Sequence, residues 1–530
     1  MKYCLYLISF LLLFLSACHQ STTSESTTLL PEIKQHLNPD ERYGDLFVAI
    51  QMNRVFDDGK TFVNCSPKFS TDEILKRYKL AKVSPGFDLK TFVEEHFDEP
   101  KKYKSSFKSD TSRNVVEYIN VLWPILLRQS DVTTTEKLIP LSKSFIVPSG
   151  HFGEIYYWES YFTILGLQSA GKWDLIENMA DNFAYLIDHI GFVPNGNRRY
   201  LTSRSQPPFF ASIVQVLAEE KGDKMYKKYL PQLETEYQFW MNGIEKLSAD
   251  TPTHRRLVRM PDGAILNRYF DDNPKPRAAF YREDLELAEG VNQNKIDLYQ
   301  DIRAACESGW DFSSRWFRDA QYLASIHTTE IIPVDLNALL YHLETVLAKA
   351  NSLKGNDEQA TLFTQKAANR QRAMLEYCWD EKDHFFIDYD FVKRQPTGVL
   401  SLAGLYPLFF NLADQTQAEY VAGVVEEKFL KPGGVVTTLN ETGQQWDAPH
   451  AWAPLQWITI KGLRNYDQVA LADTIKKNWV DVNVKGYQNT GILLEKYNVL
   501  DLDLELEEGS DPEKDGIGWT NGVLLRLLME

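Results

Sequence analysis

The chain has 530 residues, with 73 Asp and Glu against 57 Lys and Arg, for a formal net charge of −16. Phosphate binding needs a basic face, so this balance excludes nucleic acid as a partner class and leaves a small neutral or polar substrate as the better fit. A hydrophobic fraction of 44% with 13% aromatics supplies a sizeable core, and the length suits two or three ordinary domains or one large toroid or barrel.

Taken in chain order, residues 1–17 read as a signal segment. Lys2 precedes an apolar run from Leu5 to Leu15, too short to span a bilayer. The run ends in Leu15-Ser16-Ala17-Cys18, which looks like a bacterial lipobox, with Cys18 as the lipidated N-terminus. The competing reading is an ordinary secretory signal with a chance cysteine. Residues 18–30, Ser/Thr-rich from His19 to Leu29, form a polar tether. His19 in place of Asp after the cysteine gives no sign of inner-membrane retention. The expectation is a lipoprotein of the bacterial envelope, on the outer membrane or facing the periplasm, anchored through Cys18 and monomeric. Cys65, Cys306 and Cys378 then remain; a disulfide among them is allowed but not implied. The ten histidines are scattered without a ligand cluster, so neither a catalytic metal nor another cofactor is expected.

From about residue 110 the apolar positions recur with helical period. Ile176, Met179, Ala180, Phe183, Ile187 and Ile190 form one stripe over 174–190, and Gly191 stops it. Leu336, Leu339, Leu340, Leu343 and Leu347 repeat the pattern, with Asp335 as the expected N-cap. The same spacing predicts helices over roughly 209–221, 357–379, 415–430, 465–480 and 517–529, while strand-like alternation is sparse. The protein is predicted mostly helical, with residues 31–530 as one catalytic domain and no composition break that demands a second.

Two distant segments carry the chemistry. His151 to Leu167 and Gln444 to Trp457 crowd Trp, Tyr and Phe around carboxylates and amides, the lining of a sugar pocket. Metal-free glycoside hydrolysis needs two carboxyl groups. Asp311 is wedged between Trp310, Phe312 and Trp316, whose apolar walls would raise its pKa as a general acid requires. On the residues alone a helix N-cap at Asp311 is an equal reading. Glu495, in Leu494-Glu495-Lys496-Tyr497-Asn498, reads on its own as a surface carboxylate.

Trp158, Tyr161 and Phe162, then Trp446, Asp447, Pro449 and Trp452 to Trp457, resemble the signature segments of the α,α-trehalases, inverting glycoside hydrolases of family 37. The likeness spans nearly the whole mature chain, with residues 30–110 similar to the family's N-terminal arm. It implies an all-α (α/α)6 toroid whose loops form the pocket, with Asp311 in an intact Ser-Gly-Trp-Asp core as general acid and Glu495 as general base. It also implies sugar contacts from His151, Phe152, Tyr156, Trp158, Glu159, Asn195, Arg204, Gln206, Arg277, Gly309, Trp446 and Asp515. The expected reaction is hydrolysis of α,α-trehalose to two glucose molecules. The alternatives are an α-glycosidase for another disaccharide or a modified trehalose, and a lipoprotein that binds sugar without cleaving it.

The chain departs from the family pattern at several polar positions. His151 stands for the usual Arg, Glu159 for Asp, Ala279 for Glu and Asp515 for Glu. The glycine-rich lid is replaced by an acidic run, Asp501 to Glu508, which reads as a solvated face. The acid and base are kept while sugar-binding positions vary, which points to retuned recognition.

Overall fold

The computed structural model describes residues 38–100, 103, 107, 109–129, 138–502 and 516–530. The signal segment, Cys18 and the tether, most of the acidic run and Asp515 lie outside the described residues.

Six helical hairpins make the body. Their helices are α1 Val115–Leu126, α2 Tyr157–Ser169, α3 Trp173–Ile190, α4 Phe210–Lys221, α5 Lys224–Trp240, α6 Val334–Lys354, α7 Asp357–Tyr377, α8 Tyr406–Phe409, α9 Gln415–Val424, α10 Ala453–Arg464, α11 Val469–Thr490 and α12 Gly518–Met529. The even-numbered helices touch in succession, α2 to α4 to α6 to α8 to α10 to α12, and α12 packs back on α2 to close the ring. This is the (α/α)6 toroid.

Burial separates the two layers. Along α2, Tyr157 to Leu167 are buried with the single exception of Glu159, and Gly518 to Leu525 of α12 are buried throughout. A helix apolar on all sides must be enclosed on all sides. The odd-numbered helices show one apolar face; α9 buries only Ala418, Val421 and Ala422. Closure at α2 and α12 depends on glycine, since a Cβ on Gly166 would lie 2.5 Å from the Gly522 Cα.

The expected helices are present, with adjusted ends. Gly191 terminates α3 in a left-handed conformation, φ 98°. Asp335 is not an N-cap: α6 begins at Val334, and the Asp335 carboxylate instead takes two hydrogen bonds from buried Arg315 at 2.7 and 2.9 Å. The helix expected over 465–480 starts at Val469 and runs to Thr490, because its buried face includes Asn483 and Gly486, which blur the apolar period. The one expected to reach 430 ends at Val424, where a π turn follows.

The N-terminal arm has its own core of Tyr43, Leu46, Phe47, Ile50, Phe62, Ile74, Phe92 and neighbours, which includes Ala278 and Ala279 of the body. Gln51 Nε2 donates to the Ala278 carbonyl at 3.2 Å, so the arm is fixed against that turn. Strands are two or three residues long. One ladder matters for the site: β1 His450–Trp452 pairs antiparallel with β2 Lys496–Asn498, Trp452 opposite Lys496. Cys65, Cys306 and Cys378 are buried, Cys306 and Cys378 as free thiols. Among the described residues no helix is long and apolar enough to cross a membrane.

Candidate active site

Segments leading into the inner helices converge on one pocket of about 260 Å³. Phe152 and Tyr156 precede α2, and Trp158 and Glu159 occupy its first turn. Asn195, Arg204 and Gln206 come from the connection between α3 and α4. Arg277 belongs to the turn that receives the arm. Gly309 and Asp311 follow the helix Lys295–Ser308, Trp446 precedes β1, and Glu495 precedes β2. These twelve sequence-predicted positions all line the pocket. His151 does not: it sits beside it, its ring 4.3 Å from that of Phe152 and its Nδ1 2.9 Å from the Ser149 hydroxyl.

The floor is an indole cluster. Trp446 stacks on Trp452 at 4.0 Å and on Trp310 at 5.4 Å, while Trp519 meets Trp158, Trp446 and Trp452 edge-on. Gly309 adopts φ 77°, and a Cβ there would lie 2.8 Å from the Trp158 indole, so both conformation and space demand glycine. Flat apolar faces beside polar groups suit the alternating C–H and hydroxyl surfaces of a sugar.

Asp311 caps no helix. Ser313 caps the short turn that follows, its side chain accepting from the Arg315 amide. Burial raises the Asp311 pKa, against the opposing pull of Arg277 and Arg204. The Cys306 thiol lies 3.7 Å from Asp311 Oδ2, and burial pushes that thiol up to about 11. Glu159 is pushed up to about 8, first by burial and then by the nearby Glu495 charge. Glu495 itself is exposed. The site thus pairs a half-buried carboxyl whose pKa is raised with an exposed one.

Asp447, fully buried, ties the two chemical loops together. It accepts from the Ser313 hydroxyl at 2.9 Å, the Ser314 amide at 2.9 Å, the Ser314 hydroxyl at 2.8 Å and the Thr438 hydroxyl at 2.8 Å, and also from Thr442. The Trp446 amide donates to the Phe312 carbonyl at 3.1 Å. Behind this clamp, Arg315 is held by Asp335 and by Asp388, the latter at 2.6 Å.

The pocket arginines are fixed by carboxylates outside the catalytic pair. Arg277 bonds Asp284 at 2.7 Å, and Arg204 and Arg303 share Asp271 at 3.4 and 3.1 Å. Arg204 Nε has no hydrogen-bond partner among the described residues.

Sequence reasoning missed Lys60, Tyr200, Cys306, Gln445, Trp452 and Trp519 as lining residues. Trp452 and Trp519 lay in segments already singled out, so their aromatic character was the available signal. Lys60 offered none, because it follows a capped turn in the distant arm. Away from the pocket, His327, Glu330 and Asp390 bring three possible metal-ligand atoms within 4.8 Å of one another, with Arg318 already 2.6 Å from Glu330.

A sequence profile of the trehalase family matches residues 54–530. Among solved structures, the neutral trehalase Nth1 from Saccharomyces cerevisiae is similar at 25% identity and a TM-score of 0.60, covering 73% of each chain. A GH63 mannosylglycerate hydrolase from Thermus thermophilus shares the fold at 16% identity and a TM-score of 0.53, covering 78% of this chain and 99% of its own. The profile match extends through the arm-to-body turn, the Asp311 loop, the Trp-rich loop and the Glu495 segment, and the chain therefore belongs to the trehalase family of glycoside hydrolases.

Proposed function

We propose that this protein hydrolyses α,α-trehalose to two glucose molecules with inversion, Asp311 acting as general acid and Glu495 as general base. The observation that carries this reading is the unequal pair of carboxyls in one aromatic pocket. Asp311 is half-buried with a raised pKa, while Glu495 is exposed to water. A protonated carboxyl delivers its proton to the glycosidic oxygen as the bond breaks, and an ionised one removes a proton from the attacking water. Inversion gives one β-glucose, while the leaving sugar departs as α. The indole floor excludes bulk water from one side of the sugar, and Arg204, Gln206 and Asn195 supply donors for its hydroxyls. Similarity to a protein named as a neutral trehalase supports trehalose as the sugar. The lipobox-like segment supports an envelope lipoprotein anchored through Cys18.

The test is glucose release from trehalose by residues 19–530, beside Asp311→Asn and Glu495→Gln, with proton NMR of the first product anomer. Release of α- and β-glucose in equal initial amounts by the wild type, lost in both variants of unchanged fold, is the expected result. Release undiminished in Asp311→Asn, or α-glucose alone as first product, would refute the assignment.

A further inference from the structure

Lys60 is a pocket-lining cation that the proposed reaction does not use. The arm delivers it: Asp58 caps the helix Gly59–Val63 by accepting from the Thr61 amide at 2.6 Å, and the close approach of Gly59 to the Ala279 carbonyl sets the helix against that turn. A Cβ on Gly59 would sit 2.7 Å from that oxygen, so this contact fixes where the next residue projects.

Among the described residues Lys60 makes no ion pair and no side-chain hydrogen bond; its ammonium lies 4.6 Å over the Phe152 ring. The nearby carboxylates are otherwise committed. Glu154 is bonded to Arg198 at 2.8 Å and Asp58 to Thr61. Glu159, raised to about 8, is mostly protonated at neutral pH. Each pocket arginine has a carboxylate of its own or a share in one. Ala279, where the family pattern expects Glu, lines the pocket on the side where the arm packs and brings no charge. Partial burial pulls the Lys60 pKa down, the cost of a cation partly withdrawn from water without an ion-pair partner among the described residues.

We propose that Lys60, together with the uncharged wall at Ala279, forms a subsite for an anionic oxyacid group, a phosphate or a carboxylate, carried on one sugar of the disaccharide substrate. This rests on the reading of the pocket as a glycoside-hydrolysing site and names its substrate class. An ammonium that meets an oxyanion in a partly desolvated site makes a charge-assisted bond about twice as strong as one to a neutral hydroxyl. The unmodified sugar leaves that charge unsatisfied.

Two measurements test it. The first is kcat/KM for trehalose, trehalose 6-phosphate and the C6 carboxylate of trehalose, in wild type, Lys60→Met and Lys60→Arg. The second is binding of glucose, glucose 6-phosphate and glucuronate, followed by quenching of the pocket indoles, which needs no turnover. The expected result is a preference of about ten-fold or more for at least one anionic sugar over its neutral counterpart. The ratio collapses toward unity in Lys60→Met and is largely restored in Lys60→Arg, with circular dichroism unchanged. Preference for the phosphate alone or the carboxylate alone identifies which oxyacid the subsite takes. If anionic sugars bind tightly through Lys60 while none of the three disaccharides, trehalose included, is turned over, the subsite stands and the hydrolytic reading falls. Equal or weaker binding and turnover of both anionic sugars in the wild type, or a ratio unmoved by Lys60→Met, overturns the proposal.

Discussion

Asp447→Ala tests whether the catalytic loop and the aromatic floor are one mechanical unit. In the wild type this buried carboxylate accepts from the Ser314 amide and from the hydroxyls of Ser313, Ser314, Thr438 and Thr442. Truncation leaves all five donors facing an apolar methyl group. A buried donor without a partner costs about 1–3 kcal/mol. The Ser314 amide cannot turn away and bears that cost in full. The hydroxyls can rotate, and Thr438 has the Asn440 carbonyl at 3.4 Å as a weak substitute. A total near 4 kcal/mol follows, on the order of one full amide and partial losses at the hydroxyls. For 530 residues at about 2.1 cal/mol/K each, the unfolding entropy is about 1.1 kcal/mol/K, so the melting temperature should fall by about 4 °C. Activity should fall further than stability suggests, because Ser313 and Ser314 follow Asp311 and Trp446 precedes Asp447. A loss of about ten-fold or more in kcat, with a smaller change in KM, is expected from loosened positioning of Asp311, the proposed acid. Differential scanning fluorimetry and steady-state glucose release supply both numbers. A variant that melts within about 1 °C of wild type and keeps kcat within about two-fold would refute the clamp.

Two further outcomes follow from charged groups in the pocket and in the core. Glu159 is raised to about 8, so its folded state keeps a proton that the unfolded chain releases above the ordinary Glu range. The stabilising contribution is complete below that range and is lost as pH rises through about 8. Glu159→Gln, which cannot ionise, should therefore gain melting temperature relative to wild type between pH 5 and pH 8.5, and a difference flat in pH would contradict the assignment. Arg315 is buried between Asp335 and Asp388, so Arg315→Leu strands two carboxylates and should cost about 3–5 kcal/mol in urea unfolding. The loss should be smaller at pH 5 than at pH 8, because the stranded carboxyls can then take up protons; an equal loss at both would argue against stranded charge.

The local features were legible because they depend on neighbours in sequence. The α3 stripe ended by Gly191, the leucine repeat of α6 and the Asp311 segment between its aromatics all sit within one turn or a few of their determinants. Family resemblance added Glu495, which by composition alone reads as a surface charge. Tertiary structure decided the rest. Asp335 reads as an N-cap until Arg315, from another loop, claims its carboxylate. His151 stands one residue from a lining position yet turns to Ser149. Lys60 enters the pocket because the arm packs on Ala278 and Ala279, more than two hundred residues away, a contact that no local period encodes. Period and capping constrain each helix on its own axis, whereas ring closure and the meeting of residues 60, 311 and 495 depend on how buried faces fit one another across the fold.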